Sequence, residues 1–368
     1  MTNQKELSPR QLFILTFSLT VGTSILVTPA GMAQAAREDA WLGSLVSLVI
    51  NIIMAVIYLL MIRLYPGKTL FEIHEAVLGK IAGKVLNLLY LFYFLILTGT
   101  LLGNLGFFIS SEIMPETPIE AVQGLFLLSA VICARLGVII LARVGELMFP
   151  FILILFLVLV LALSPQIEWT YILPVMEEGL MPILKAGFHA SMFQELIVMV
   201  VFFSLVNGQG EGKKALIKGS VAGGAVLTVI VILSILILGI EQTENSTFPA
   251  FALAKTINVG NFFQRVEGIL ITMWVMTFFV KISLLFLAML QGLQTVFGLQ
   301  LQTPFIYPLA VMFIIVSWNT YINTIYVADI IQNSWVGYAM LHLLAIPLLI
   351  VCIGYFKTKW LSSKASAS

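Results

Sequence analysis

Gly22-Thr23-Ser24-Ile25-Leu26-Val27-Thr28-Pro29-Ala30-Gly31 stands in the middle of the first long apolar segment of the chain. Pro29 lacks a backbone N–H and disfavours helical geometry at Thr28, while Gly22 and Gly31 tolerate conformations that other residues avoid. We therefore expect a helix to open here. At bilayer depth an opened helix persists only where protein or a wet cavity pairs its freed backbone groups. The stretch is either a binding site or a proline kink repaired by the hydroxyls of Thr23, Ser24 and Thr28.

The composition is that of a polytopic membrane protein. Of the 368 residues, 60% are hydrophobic and only 10% are charged, with a mean hydropathy of +1.06, whereas soluble chains average about 25% charged residues. Apolar runs of about 20 residues recur, and each can cross a hydrocarbon core about 30 Å thick. We expect the lipid bilayer as surroundings and no nucleic acid as a partner. The first run continues too far, without a small-residue cleavage site, to be a removable signal peptide.

Cysteine and histidine usage predicts neither disulfides nor a metal centre. Cys133 and Cys352 lie inside apolar runs, and His74, His189 and His342 are far apart without ligand spacing. Phosphate-binding glycine loops, nucleophile elbows and catalytic carboxylate pairs are absent from the sequence. We therefore expect no cofactor and no enzymatic activity.

The sequence predicts ten transmembrane spans, all helical, because strand alternation is absent and lipid admits only helices or closed barrels. The predicted spans are Arg10–Ala36, Trp41–Arg63, Val85–Ser111, Ile119–Arg135, Gly145–Leu163, Pro182–Val206, Leu216–Ile240, Glu267–Phe297, Pro304–Trp318 and Ser334–Phe356. The short apolar stretch 135–143 could belong to the fourth span or to the fifth.

Lysine and arginine are distributed unevenly between the two sides of this arrangement. With a cytoplasmic N-terminus, fourteen of the 19 basic residues fall on the cytoplasmic side, as the positive-inside rule requires. Lys281 lies inside a span, and Arg37, Lys185, Lys255 and Arg265 fall on the opposite side. Both termini are therefore expected in the cytoplasm.

The sixth span is a plausible counterpart of the interrupted first span, because it is polar from Phe188 to Glu195 and apolar on both flanks. The first span starts inside and the sixth outside. The halves would then be inverted repeats whose broken helices meet near the midplane, as in many secondary transporters. We expect one transmembrane domain, 1–368, with repeats at about 10–164 and about 180–357. The alternative is an ordinary ten-helix bundle without repeat symmetry.

The connection 243–264, on the predicted outer side, contains a short amphipathic piece, Phe248–Lys255. It could be a lid over an outward-facing vestibule or a helix that rests on the headgroups. Arg265 and Glu267, at the start of the eighth span, form either an outer-interface ion pair or a gate.

Lys281 lies near the middle of the eighth span, where an ionisable residue costs about 2.5 to 3.5 kcal/mol on insertion scales. It could replace a coupling cation, carry a proton, or be a structural cation bonded to backbone carbonyls of an opened helix. Glu195, with Gln194 and His189 on the preceding turns, could pair with Lys281, bind a ligand amine, or cap the second half of the sixth span.

Two glycine pairs, Gly99 with Gly103 and Gly219 with Gly223, have the spacing that lets membrane helices approach closely. We interpret them first as packing features. Gly103 could instead leave room for a ligand beside the first-span break.

Several short motifs occur in a fixed order along nearly the whole chain. They are Gly22-Thr23-Ser24-Ile25-Leu26 followed by Pro29, Asp39-Ala40-Trp41, Leu173-Pro174-Val175 with Glu178-Gly179, and Phe263-Gln264-Arg265-Val266-Glu267 with Trp274 and Lys281-Ile282-Ser283. Together they make the sequence similar to the bacterial spore germination permeases. These are the B-type subunits of germinant receptors, within the amino acid, polyamine and organocation superfamily.

The resemblance implies a five-plus-five inverted repeat in the spore inner membrane that senses a small nutrient with an A-type subunit and a lipoprotein C-type subunit. It also implies a ligand between the broken first and sixth spans, enclosed by side chains of the third and eighth. Carried onto this sequence, the candidate ligand-binding residues are Gly22, Thr23, Ser24, Ile25, Phe188, His189, Ser191, Phe193, Gln194, Glu195, Trp274, Thr277, Phe278 and Lys281, to which we add Gly103. Some relatives have glycine where Ser24 stands, so we expect Ser24 to influence ligand choice.

The leading hypothesis is a germinant-sensing membrane subunit. Its small-molecule ligand, an amino acid or similar, would shift the populations of two helix packings and so signal to partner subunits. The alternatives are an amino acid transporter coupled to H⁺ or Na⁺, and a structural scaffold for a channel formed with partners.

Overall fold

The computed structural model describes residues 6–257, 267–320 and 334–365. Within these ranges the chain is helical, and the recorded β-structure is an isolated bridge between Leu7 and Val206. A π-helical turn, Leu341–Ala345, separates the last two helices. The helices are α1 Pro9–Val21, α2 Ser24–Ala36, α3 Ala40–Leu64, α4 Leu70–Leu78, α5 Lys80–Glu112, α6 Ile119–Leu136, α7 Val138–Leu163, α8 Leu180–Ser191, α9 Val198–Phe202, α10 Gln209–Asn245, α11 Pro249–Lys255, α12 Glu267–Phe297, α13 Ile306–Thr320, α14 Val336–Met340 and α15 Ile346–Ala365.

Eight helical segments of the described ranges are long and apolar enough to cross a membrane. They correspond to predicted spans two to five and seven to ten. The first of these segments, Ser24–Leu64, contains α2 as well as α3. The predicted first and sixth spans are each divided, into α1 and α2 and into α8 and α9. The all-α membrane fold with two broken spans is confirmed. The total of ten, the inverted symmetry and the repeat boundaries stay predictions.

The first span opens only at Gly22 and Thr23. The helix resumes at the next residue, and α2 runs without interruption through Pro29 and Gly31. The expectation that Pro29 holds the break open is therefore wrong. Proline is tolerated inside membrane helices where neighbouring groups satisfy the freed backbone. The Thr28 hydroxyl donates to the carbonyl oxygen of Ser24 in the preceding turn, whereas the carbonyl that Pro29 leaves without an N–H donor is that of Ile25.

The boundary between the fourth and fifth spans lies at Gly137, whose φ is 86°. Glycine adopts this left-handed conformation without the steric cost that a Cβ brings. Arg135 therefore belongs to α6, and Arg143 belongs to α7. The fifth span begins about two turns earlier than its predicted start at Gly145.

The glycine pairs bring helices into close contact. A Cβ added to Gly219 would lie 2.6 Å from the carbonyl oxygen of Phe13, and one added to Gly223 would lie 2.7 Å from Cβ of Thr20. At these positions α10 packs closely against α1. Gly99 lies directly against Val316 of α13, so the packing interpretation is confirmed at these three positions.

The predicted amphipathic piece forms α11, and its apolar residues pack on the protein. The rings of Phe248 and Phe251 meet Phe108 of α5 edge to face, with centroids 4.8 and 5.2 Å apart. A helix that rested on headgroups would turn these rings outward, so the packing favours the lid interpretation. The end of this connection, with Arg265 and its predicted ion pair or gate, lies outside the described residues.

Candidate ligand site at the two helix breaks

The side chain of Lys281, carried by α12, lies between the two broken spans and is fully buried. Its Nζ donates a hydrogen bond to the backbone carbonyl oxygen of Phe193 at 2.9 Å. The same Nζ lies 2.5 Å from Oε2 of Glu195, whose side chain is 1% exposed. A buried charge is tolerated only when it is paired and hydrogen-bonded, and Lys281 meets both conditions.

The opened sixth span supplies the carbonyl oxygen to which Lys281 is bonded. Between α8 and α9 the backbone forms turns, and Glu195 has a φ of 39°, which is uncommon for a residue with a side chain. The carbonyl of Phe193 is thereby turned toward other elements. Oγ of Ser24, the first residue of α2, also donates to it at 2.9 Å. One oxygen atom thus joins both broken spans to α12.

Gly22 is required because the Lys281 side chain passes directly over it. A Cβ at position 22 would lie 2.5 Å from Cδ of Lys281 and 3.4 Å from its Cβ. Any larger residue would displace the lysine stem, since the interior is closely packed. The first-span break therefore includes glycine because of a contact made by the eighth span.

These contacts distinguish between the interpretations of the two charges. Lys281 bonds a carbonyl of an opened helix, as a structural cation does, and the predicted pairing with Glu195 is confirmed. Ile197 stands at the N-cap of α9, and that cap has no side-chain hydrogen bond; a stabilising effect of the Glu195 charge on the start of α9 stays a prediction. Direct ligand contact and proton transfer stay predictions.

The predicted residues Trp274, Thr277 and Phe278 of α12 are all fully buried. The Trp274 ring contacts Phe278 at a centroid distance of 5.0 Å and Phe108 at 4.9 Å. The Thr277 hydroxyl donates within its own helix, at 2.9 Å to the carbonyl oxygen of Trp274. An aromatic column therefore runs from α11 through α5 to the α12 residues near Lys281.

Sequence reasoning missed Phe108, which connects α11 to Trp274. It stands among many phenylalanines of an apolar span, and no polar neighbour distinguishes it. Gly103, by contrast, was expected at the site. It is buried in α5, and its place beside the first-span break stays a prediction.

The other candidate residues surround the breaks in different ways. Ile25 is fully buried, and Thr23 is buried with a hydroxyl that has no hydrogen-bond partner in the described part of the chain. Phe188 is partly buried against the core, and the Ser191 hydroxyl donates to its carbonyl oxygen at 2.7 Å. The His189 ring lies 5.3 Å from that of Phe193.

Gln194 faces a cavity that the sequence did not predict. Its Nε2 lies 3.4 Å from Oγ of Ser47 in α3, and Ser44 of the same helix also borders the cavity. The volume is about 10 Å³, close to the minimum for one water molecule. An amino acid does not fit there unless side chains or helices move.

A second polar cluster lies in the tenth span, at the π-helical turn. The N–H of Ile346 donates to the carbonyl oxygen of Leu341, so the carbonyl oxygen of His342 loses this donor. Pro347 has no N–H, so the carbonyl oxygen of Leu343 lacks its donor as well. Tyrosine hydroxyls from other spans replace both donors. Tyr90 donates to the His342 carbonyl oxygen and Tyr58 to that of Leu343, each at 2.6 Å.

Two broken helices joined through a buried polar contact, in an all-helical membrane bundle, define the secondary-transporter fold. The chain aligns with Mhp1, a nucleobase-cation-symport-1 family transporter, in a closed conformation with bromovinylhydantoin bound. The TM-score is 0.69 at 13% identity, covering 92% of this chain and 78% of that chain. It also aligns with MhsT in complex with L-phenylalanine, with a TM-score of 0.58 at 12% identity, covering 96% and 99%.

The chain belongs to the spore germination protein family, whose model matches residues 6–325. Spore germination protein KB of Bacillus subtilis (strain 168) is 27% identical over 84% of each chain. Spore germination protein B2 of the same organism is 25% identical over 97% of each chain. The predicted family is confirmed. Family and fold together indicate an integral membrane protein and point to a transporter or a receptor rather than an enzyme.

Proposed function

We propose that this chain is the nutrient-sensing B-type subunit of a spore germinant receptor. It binds a small molecule, an amino acid or similar, at the junction of the two broken spans and signals to A-type and C-type partner subunits. We place it in the spore inner membrane with both termini in the cytoplasm. The main support for the proposal is that Ser24 and Lys281 both donate hydrogen bonds to the carbonyl oxygen of Phe193.

This junction is suited to respond to a ligand. It ties α2, the sixth-span break and α12 together through two side-chain hydrogen bonds and one ion pair. A ligand with its own donors can replace Ser24 at the carbonyl of Phe193, and one with a carboxylate can compete with Glu195 for Lys281. Either exchange changes how the three elements pack.

Signalling requires that the ligand bind the two packings with different affinity, because equal affinity shifts no population. The small cavity at Gln194 supports a closed packing as one of the two states. Opening of the junction would create room for the ligand, and the lid helix α11, connected through Phe108 and Trp274, would move with it.

Purified protein in liposomes tests the proposal. Saturable binding of a nutrient without uptake supports a receptor, whereas sustained accumulation driven by an ion gradient contradicts the receptor function and supports the transporter. The nutrient is first identified by comparing the germinants to which spores with and without this chain respond.

An amino acid transporter coupled to H⁺ or Na⁺ is the second candidate. The transporter fold favours it. In that function Lys281 would act as a fixed replacement for a coupling cation or would carry the proton itself. Uptake assays with imposed pH and Na⁺ gradients separate these two roles.

A further inference from the structure

The cavity beside Gln194 is lined by residues of α2, α3, α8, α10 and the sixth-span break. Its polar residues are Thr28, Ser44, Ser47 and Gln194, and each is at most 5% exposed. Lys281 and Glu195 do not line it, and Glu195 is held by the lysine. The polar lining of this cavity is therefore composed of neutral side chains.

The hydroxyl protons of two lining residues are already in use. Thr28 donates to the carbonyl oxygen of Ser24 at 2.7 Å, and Ser44 donates to that of Trp41 at 2.6 Å. A hydroxyl has one proton and two lone pairs. Both oxygens can consequently offer only lone pairs to the cavity.

The amide of Gln194 adds another acceptor. Its Nε2 donates toward Oγ of Ser47, and its Oε1 has no hydrogen-bond partner among residues 6–257, 267–320 and 334–365. The side chain is 2% exposed, so bulk water does not pair this oxygen. A buried, unpaired acceptor in a native structure indicates a missing partner.

We propose that this cavity is a binding site for a monovalent cation of the size of Na⁺. Acceptor oxygens of Thr28, Ser44 and Gln194 border a space the size of one water molecule, and hard cations prefer oxygen ligands. The Ser47 hydroxyl is not counted among them, because it already accepts from Gln194 and Asn51. A divalent ion would lack a neutralising carboxylate there. A water molecule donates only two hydrogen bonds, whereas a cation is bound by every lone pair that faces it.

The site adjoins the germinant junction, because Gln194 stands between Phe193 and Glu195 in the sixth-span break, but it does not depend on the proposed function. Its cation would hold α2, α3 and the sixth-span break together. Occupancy would stabilise the closed packing whether or not the chain binds a nutrient.

The test uses the purified full-length chain without any organic ligand. Thermal melting is measured in NaCl, KCl and choline chloride at equal ionic strength, and binding of radioactive ²²Na⁺ is measured directly. We expect NaCl to raise Tm saturably by about 3 °C or more over choline chloride, with a smaller effect of KCl. Equal Tm values in all three salts, with no ²²Na⁺ bound, would overturn the proposal and indicate a bound water.

Thr28→Val and Thr98→Val form a matched pair of variants. Both threonines are buried, and both hydroxyls donate to a carbonyl of the preceding turn at 2.7 Å, but only Thr28 borders the cavity. Thr28→Val should raise the half-saturating Na⁺ concentration about tenfold or more, while Thr98→Val leaves it unchanged. Equal effects of the two variants would overturn the proposal. If Thr28→Val does not fold, Ser44→Ala takes its place with the same expectation.

Discussion

The carbonyl of Phe193 at the sixth-span break and the carbonyls of His342 and Leu343 in the tenth span are all turned toward other helices. They differ in the groups that pair them. Phe193 is bonded by a charged lysine and a serine, whereas the tenth-span carbonyls are bonded by the neutral hydroxyls of two tyrosines. Both regions meet the requirement that backbone groups in lipid be paired within the protein.

The two regions differ in the energetic cost of losing the side chain that pairs the carbonyl oxygen. A neutral hydroxyl that leaves exposes one unpaired acceptor, at a cost of about 1–3 kcal/mol. A charge that leaves exposes its counter-ion as well, at about 3–5 kcal/mol. We therefore expect a charged or zwitterionic ligand to shift the junction at Lys281, and we expect the tenth-span turn to be a fixed structural contact.

The largest effect is expected from Lys281→Met. This variant leaves the carboxylate of Glu195 buried without its partner, and we expect a loss of about 3–5 kcal/mol in the free energy of unfolding. The response to germinant should be abolished while membrane insertion is retained. Thermal melting, membrane fractionation and spore germination assays measure these three properties.

The double variant Lys281→Met/Glu195→Gln is the control, because it removes both charges and should recover most of the lost stability. If the single variant Lys281→Met germinated as well as the unmodified chain, Lys281 would be only structural or peripheral.

A smaller effect is expected from Tyr58→Phe. The Leu343 carbonyl would lose its donor, at a cost of about 1–3 kcal/mol, with the germinant response preserved. Tyr93→Phe is the matched control, because its buried hydroxyl has no partner among the described residues and its loss should change stability by less than about 0.5 kcal/mol. A changed germinant preference in Tyr58→Phe would show that the tenth-span turn, like the junction at Lys281, takes part in the response to germinant.

The smallest effect on stability is expected from Ser24→Gly. The Phe193 carbonyl keeps Lys281 as a donor, so the cost should be about 0.5–1.5 kcal/mol, whereas germinant preference should change. Ser234→Gly is the control, since this buried hydroxyl bonds within α10. Dose–response curves with several nutrients measure preference. Curves identical to those of the unmodified chain would show that the first-span break does not line the pocket.

The buried charges were the most predictable part of the site. Lys281 and Glu195 stand in otherwise apolar segments, where a charge is expensive and needs a partner, and the structure pairs them. The hydroxyls of Ser44, Ser47 and Tyr58 were not predicted. Such groups are inexpensive in membrane helices, so their presence in a sequence gives little indication of a site.

Pro29 shows the limit of local reasoning. The helix continues through it, because a proline loses only one backbone donor and nearby groups can compensate. The true break lies at Gly22 and Thr23, and the need for Gly22 is visible only once Lys281 is in position above it.

The membrane class, the two interrupted spans and the buried charges can be read from the residues alone, because hydropathy, helix breakers and the cost of burying charge act locally along the chain. The tertiary structure alone decided where each break lies and what pairs it. The hydrogen bonds and the ion pair at the junction connect α2, the sixth-span break and α12, and these elements are remote in sequence. Close packing between them, and not local propensity, selects glycine at position 22 and brings serine and lysine to one carbonyl oxygen.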